Sequence, residues 1–569
     1  MDKIWLKNYP KGVVEEIDPG QYASLKALME EVFARHADRP AFSSFGQTMS
    51  YGELDRASAA FGAYLCSELG LAAGDRVALV MPNILQFPVA LYGALRAGLV
   101  TVNFNPLYTH HEMQRQLQDC GARVAIVMEN FAHTLEQALE ETAIEHVIVT
   151  RLADLIPGFK GRVLDFGNKY LKRNVPAWQF DKSIGFRDCL ARGRNLELPV
   201  VEIGPDTLAC LQYTGGTTGT PKGAELTHGN LVANLLQLAA WVGELFTEGE
   251  EKIITALPLY HIFALTVNAL LMLRFGGENV LVIDPRDLKN LVKTLDRTRW
   301  TALTGVNTLF NALLNNERFT KLDFSAVKFT LGGGMAVQRV VAERWKKLTG
   351  EPLIEGYGLS ETSPVVSANP LDIKDYTGSI GLPLPSTDIS IRDDDGKELA
   401  LGEEGELCVA GPQVMRRYWN RPEETAKAMT DDGFFRTGDV AKVDERGFIF
   451  LVDRKKDMIV VSGFNVYPNE VEDTLAAMPG VKEVAVIGVP DEHSNEAVKA
   501  FIVKSDASLD EKAVIAWTHE NLAGYKIPKH VEFRDELPKS NVGKVLRRAL
   551  RDEENGKRKQ SEPENSKRS

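Results

Sequence analysis

Between Arg76 and Leu348 the chain repeats one pattern: a short apolar run, a longer stretch with helical spacing, then another short run. The short runs fall at 76–81, 99–105, 123–128, 252–257, 279–283, 301–306 and 327–331. Helical stretches follow several of them, at 263–273, 288–299, 308–314 and 337–348. Repeated strand–helix alternation of this kind folds as parallel sheets with helices packed on their faces. The 569 residues exceed what a single core holds, so two or more domains are expected.

Near Ile380 the texture changes. Runs at 389–392, 406–410 and 448–452 read as short antiparallel strands, with Asp395-Gly396 as a hairpin turn. After Asp453 come runs at 484–489, 498–504 and 531–533 and a helix at 511–522, a compact α+β unit. Lys455-Lys456-Asp457 sits at that junction and is the candidate hinge. The expected fold is therefore α/β. A large N-terminal domain of α/β sheets spans 1–454, including a small β-subdomain at about 380–454. A small mobile α+β domain follows at 455–551, and 552–569, charged and without a large apolar residue, reads as a disordered tail.

Composition removes several functions. A formal charge of −12 lacks the basic footprint of a nucleic-acid binder. Five scattered cysteines (Cys66, Cys120, Cys189, Cys210, Cys408) form no C-x-x-C pair, which points to a reducing, cytoplasmic setting. His111-Glu112 begins like a zinc-protease motif, but Arg115 stands where the second histidine belongs, so the segment reads as an ordinary helix start. The N-terminus has no continuous apolar region, and the apolar stretch 77–102 is interrupted by Pro82, Pro88 and Arg96. Any membrane contact is expected to be peripheral.

Chemistry concentrates in Tyr213-Thr-Gly-Gly-Thr-Thr-Gly-Thr-Pro-Lys-Gly223, after the strand-like run 208–212. Glycines let backbone N–H groups approach a ligand, threonines add hydroxyl donors, and Lys222 adds a mobile cation. That is a polyphosphate cradle, distinct from a Walker A loop because Gly223 follows the lysine. Five further segments suit it. Gly332-Gly333-Gly334 follows a strand and should open onto a ligand crevice. Glu355-Gly-Tyr-Gly-Leu-Ser-Glu361 offers a ring for a nucleobase and a carboxylate for Mg²⁺. Thr437-Gly438-Asp439 offers a carboxylate in a turn, suited to ribose hydroxyls. Asp453-Arg-Lys-Lys-Asp457 carries a cation at the hinge, and Pro538-Lys-Ser-Asn-Val-Gly-Lys544 presents a lysine from a loop. Alone, a Thr-Gly-Asp is nearly always a turn, and Lys544 beside Arg547 and Arg548 reads equally well as one face of a solvated helix. The order of all six carries the reading.

That order resembles the acyl-adenylate-forming superfamily, which makes acyl-AMP from a carboxylate and ATP. Asp432-Gly-Phe-Phe-Arg-Thr-Gly-Asp439 through Asp453-Arg-Lys-Lys456 is similar to the fatty-acyl-CoA synthetase motif, and the likeness runs over nearly the whole chain as in bacterial long-chain-fatty-acid–CoA ligases. The resemblance implies ATP and coenzyme A as co-substrates, Mg²⁺ as cofactor and a fatty acid as the activated acid. An aryl or medium-chain acid of the same superfamily is the alternative. It implies that Tyr213, Thr214, Gly215, Gly216, Thr217, Thr218, Gly219, Thr220, Pro221, Lys222, Gly223 and Ala224 form the phosphate loop, with Thr214 near Mg²⁺ and Lys222 on the outer phosphates. Gly333, Gly334, Glu355, Gly356, Tyr357 and Gly358 would surround adenine, with Ser360 beside them. Asp439 and Arg454 would hold ribose, Glu361 the metal, and Ser462 and Gly463 the pantetheine route. Lys544 would be the adenylation lysine, Lys456 the hinge, and His261 a group near the reacting carboxylate. Ser360 stands where threonine is usual, and the stretch 263–273 lacks the tryptophan that closes the acyl tunnel in some relatives. The resemblance leaves room for peripheral inner-membrane association and for a homodimer.

Overall fold

The computed structural model describes residues 2–214, 221–491, 494–540 and 543–561. Gly215, Gly216, Thr217, Thr218, Gly219 and Thr220 of the expected phosphate loop lie outside them, as do 562–569 of the expected tail.

Among the described residues the strands form four sheets. The first has seven strands, in the order Ser183–Gly185, His146–Thr150, Val124–Met128, Arg76–Val80, Val100–Asn103, Leu208–Thr214 and Lys222–Thr227. All neighbours are parallel except the last pair, which runs antiparallel with Thr214 opposite Lys222. The phosphate-loop segment therefore joins two antiparallel strands at one edge. The second sheet has nine strands, and its centre places Lys252–Thr255, Ala302–Gly305, Phe329–Gly332 and Ile354–Gly358 side by side and parallel. Strands buried on both faces explain the continuous apolar runs. Gly305 and Gly332, the last residues of their strands, pair with each other, and Gly332 pairs with Glu355 at the start of the next strand, so two carboxyl ends open beside the strand that carries Tyr357. In open α/β sheets that is where ligands bind.

A four-stranded antiparallel sheet follows: Asp388–Arg392, Gly405–Ala410, Phe435–Val443 and Ile449–Arg454. The Asp395-Gly396 turn lies between its first two strands, with Gly396 N–H bonded to Asp393 O at 3.1 Å. Beyond it, Asn495–Lys504 pairs with Ile459–Val461, Val481–Asp491 and His530–Arg534 in a five-stranded sheet. Helices Pro468–Ala476 and Glu511–Asn521 accompany it, and the unit has its own core, including Val471, Leu475, Val486 and Val498. The large α/β portion with a small C-terminal α+β portion is the architecture expected from sequence.

Three local readings are corrected. Stretch 263–273 is not one α-helix: Ile262–Ala264 and Leu271–Phe275 flank a π-helical turn, Leu265–Leu270. Buried polar side chains anchor that wide turn. Thr266 donates to Ser363 O at 2.7 Å, and Asn268 joins Thr255 and Thr304 at the strand ends. Thr437-Gly438-Asp439 is not a free turn but a bulge inside strand Phe435–Val443, where the register shifts opposite Glu406 and Cys408. The expected disordered tail is helical through Ser561, because helix Arg547–Ser561 pairs its charges with the sheet: Lys499–Glu554 at 2.7 Å and Arg534–Glu553 at 2.7 Å. His110–Cys120 is the ordinary helix expected, started by a Thr109–Glu112 capping box.

Candidate active site

Asp439 lies on the bulge of its strand, opposite Arg454 on the next. Its two carboxylate oxygens are shared: Tyr357 donates its phenol at 2.6 Å, and Arg454 Nε lies 3.2 Å away. Asp439 is almost fully buried, so both contacts compensate a desolvated charge. Tyr357 belongs to strand Ile354–Gly358, which places the ring between the carboxyl ends of the nine-stranded sheet and the antiparallel sheet. The backbone is close-packed here. A Cβ at Gly358 would meet Pro364 O at 2.2 Å, and one at Gly333 would meet Gly356 O and the Phe263 ring at 3.1 Å. Gly334 turns away from the strand end, and Ser360 opens the single helical turn Ser360–Thr362. Glu355 is buried, and desolvation pushes its carboxyl up to about 8, with Asp473 of the C-terminal portion adding to the rise.

Glu361 is buried in that turn. Tyr418 donates to one of its oxygens at 2.7 Å, and its pKa is raised by burial. No cation lies within ion-pair distance of it among the described residues. Nor does any group of three His, Cys, Asp or Glu side chains assemble there as a metal site. One buried, incompletely compensated carboxylate beside a polyphosphate loop fits Mg²⁺, which takes one or two protein carboxylates and completes its shell with phosphate and water. Lys222 sits next to this pair with its ammonium 4.9 Å from the Tyr418 ring centre, and its ion-pair partner is Glu424 at 2.7 Å. Thr214 is partly exposed at the strand end, and Pro221 follows the undescribed loop. Ala224 is buried, and Gly223 accepts from Trp419 N at 2.8 Å. Tyr213 turns its phenol to Asp119 at 2.5 Å, which also binds Arg421 at 2.5 Å, so this ring braces the loop's base.

Lys544 comes from the far end of the chain. Lys539 and Val545 pair across a tight hairpin, with Gly543 at φ 83° allowing the turn. Thr308, at the start of helix Asn307–Leu314, donates to Gly543 O at 3.0 Å, holding the hairpin against the large portion. There the Lys544 ammonium is pushed down to about 8, first by burial and then by Arg454, with Asp439 opposing. It also acts on His261, which burial and Lys544 together bring down to about 4. His261 Nδ1 accepts from Phe263 N at 3.3 Å, so the neutral ring carries its proton on Nε2.

Lys456 is exposed in the turn after Arg454, where Asp457 N and Met458 N both bond back to Arg454 O. Ser462 and Gly463 are not gathered into this cluster. They form the exposed two-residue turn between Ile459–Val461 and Phe464–Val466, with φ 50° and 85°. Sequence reasoning missed Tyr418, Asp119 and above all Arg547. That guanidinium meets Asp453 at 3.1 Å, Glu472 at 2.6 Å and Asp457 at 3.7 Å, and also binds Asn469. It ties the last strand of the antiparallel sheet to the C-terminal portion. Its acid partners lie 75 to 94 residues away in the sequence, so spacing gave no signal for them.

A family model described as AMP-binding enzyme matches residues 29–419, and one described as AMP-binding enzyme C-terminal domain matches 470–544. A long-chain-fatty-acid–CoA ligase of Escherichia coli O6:H1 is 56% identical over 557 residues, 98% of this chain and 99% of that protein. Among solved structures, the anthranilate CoA ligase AuaEII in complex with anthranoyl-AMP superposes with a TM-score of 0.81 at 25% identity, covering 94% of this chain and 99% of that one. ATP-bound MatB from Rhodopseudomonas palustris gives 0.76 at 31% identity over 93% and 98%. With both halves of the chain matched in sequence and the carboxyl-end crevice built from the motif residues, the chain belongs to the AMP-binding enzyme family.

Proposed function

We propose that this chain is an AMP-forming long-chain-fatty-acid–CoA ligase. It activates a fatty acid with ATP to acyl-AMP and pyrophosphate, then transfers the acyl group to coenzyme A, releasing AMP. The relatives at 50–56% identity over nearly the full chain support the reaction. The observation that carries the site assignment is the docking of Lys544, through Gly543 and Thr308, beside Arg454, Asp439 and His261.

A carboxylate is a poor electrophile, and joining it to the α-phosphate turns its oxygen into part of a leaving group. Negative charge accumulates on phosphate oxygens as pyrophosphate departs, so cations are the catalytic material. Lys222 exchanges Glu424 for the outer phosphates, and Lys544 reaches the α-phosphate and the ribose end. Asp439 accepts from ribose hydroxyls, oriented by Tyr357 and Arg454. His261, neutral with Nε2–H available, donates to an oxygen at the reacting carboxylate. It removes no proton, because a fatty acid is already ionised at neutral pH. Glu361, with Thr214, would hold Mg²⁺, which supplies Lewis-acid neutralisation of the phosphates when bound. For the second half-reaction the C-terminal portion turns about Lys456 and presents Ser462 and Gly463 to the pantetheine arm. The enzyme works in the cytoplasm.

Lys544→Ala tests this division. Adenylation, followed by pyrophosphate release, should fall by the ~3 kcal/mol of one oxyanion donor or more. Thioester formation from supplied acyl-AMP should persist. Equal loss of both half-reactions refutes it.

A further inference from the structure

Five of the large apolar side chains most open to solvent fall in one segment: Phe159, Val163, Phe166, Tyr170 and Leu171, with Phe159 81% and Leu171 75% exposed. They belong to helix Gly158–Phe166 and the π-turn that continues it, Gly167–Leu171. Phe159, Val163, Phe166 and Tyr170 are spaced by four, three and four residues, one stripe along a helix. The opposite side is fixed to the protein. Gly161 is buried against Ile156 O, Leu164 packs on the main core, and Asn168 exchanges hydrogen bonds with Asn130. Asp165 accepts from Ala153 N at 2.9 Å. The stripe is thus held outward by a rigid inner face.

Its surroundings are basic. Lys160, Arg162, Lys169, Lys172 and Arg173 are all exposed, and Asp165 is the one acid from 158 to 173, a local charge of +4 in a chain of −12. A cavity of about 460 Å³ opens against this helix, lined by Phe166 and Tyr170 of the stripe and by Arg151, Arg162, Lys169 and Arg187, with Glu129 and Asp165 among them. Arg187 pairs with Asp154, whereas Arg151, Arg162 and Lys169 have no carboxylate within ion-pair distance among the described residues. Exposed aromatic and aliphatic groups flanked by cations match a surface with an apolar interior and an anionic face.

We propose that helix Gly158–Phe166 and its continuation to Leu171 form the membrane-docking element of this protein, lying in the plane of an anionic bilayer. Phe159, Val163, Phe166, Tyr170 and Leu171 enter the acyl boundary, and the five cations meet lipid phosphates. The inference deepens the reading of a long-chain acid as substrate, which partitions into bilayers, and rests on that reading only for the use of such docking.

The test is vesicle flotation of the full chain, on phosphatidylcholine vesicles with and without one third phosphatidylglycerol. Wild type should bind the anionic vesicles, and salt should weaken that binding. The triple variant Phe159→Ser, Phe166→Ser, Leu171→Ser should lose roughly tenfold or more in partition coefficient. Val200→Ser, also at a fully exposed apolar side chain, should lose none. The pair Lys172→Glu, Arg173→Glu touches only exposed charges, so it tests the idea even if the triple variant misfolds; it should lose binding to anionic vesicles selectively. All variants should keep wild-type acyl-CoA formation from a short, water-soluble acid. Wild type that makes acyl-CoA but does not float, or a charge pair that floats like wild type, overturns the inference while leaving the ligase reading intact. A wild-type dimer split by these substitutions also overturns it, making a second copy the occupant of the stripe.

Discussion

The position of Lys544 fixes a pH dependence. In the docked hairpin its ammonium is held at about 8 rather than 10.5, by burial first and Arg454 second, with Asp439 only partly offsetting them. A depression of that size corresponds to at most about 3 kcal/mol, an upper bound because the side chain keeps some contact with water. Undocked and hydrated, the same lysine titrates near 10.4. Between these values the docked arrangement binds fewer protons than the undocked one. Docking itself therefore becomes more favourable as pH rises from about 8 to 10, while the docked group loses its charge. On the proposed mechanism, adenylation needs that charge. In the free enzyme the ATP-dependent step should weaken as pH climbs through about 8, approaching tenfold per pH unit. Bound triphosphate supplies the missing counter-charge and returns the ammonium toward its hydrated pKa. The assay is substrate-dependent pyrophosphate release from about pH 6.5 to 9.5, with kcat/KM for ATP and kcat fitted separately. kcat/KM should bend near pH 8 and kcat later, because the two report the free enzyme and the ternary complex. Lys544→Arg carries a guanidinium that stays charged throughout, so the bend should vanish at a reduced plateau. A flat kcat/KM in wild type, or a bend that survives in Lys544→Arg, refutes the reasoning.

Tyr357→Phe removes the phenol that donates to Asp439 at 2.6 Å and leaves a buried carboxylate oxygen unpaired, at about 1–3 kcal/mol. KM for ATP should rise about tenfold, while acyl transfer from supplied acyl-AMP changes little. Arg547→Gln strips one guanidinium from Asp453, Glu472 and Asp457, and breaking such a buried set costs about 3–5 kcal/mol. Limited proteolysis should then cut between 454 and 468 faster than in wild type; equal cutting counts against a latch. Lys456→Pro fixes one backbone angle in an exposed turn and should leave adenylation near wild type while slowing thioester formation, measured in single turnovers.

What sequence disclosed was local. Strand ends followed by glycines, as at Gly332–Gly334 and Gly356–Gly358, announce a close backbone approach wherever they occur, and the alternation around them dictates a parallel sheet. Side-chain partnerships across long separations stayed hidden. Tyr418 on Glu361 spans 57 residues and Arg547 on Asp453 spans 94. Nothing in the spacing distinguishes either pair from any other tyrosine or arginine and an acid. The tail departs from expectation for a related reason. Beyond Leu550 it offers no large apolar side chain to bury, yet Glu553 and Glu554 reach Arg534 and Lys499 on a sheet whose position only the fold reveals. The stripe from Phe159 to Tyr170 is the converse case. Its period is plain in the sequence, but only Gly161 and Asn168 locked beneath it show that it faces outward.

If Lys544 is the adenylating cation proposed above, the charge around it also orders the two half-reactions. Without nucleotide the docked ammonium shares its neighbourhood with Arg454 and Arg547, and Asp439 and Asp457 only partly oppose them. On the proposed mechanism a triphosphate entering the crevice brings several negative charges to that cluster and lowers the cost of docking. ATP is then both a substrate and the counter-ion that favours the adenylating orientation. When pyrophosphate leaves, most of that negative charge leaves with it, and the burial cost of the ammonium returns. The C-terminal portion loses its reason to stay docked at the moment when the thiol needs access. No separate trigger is required, because product departure changes the electrostatic balance by the same few kcal/mol that depress the lysine.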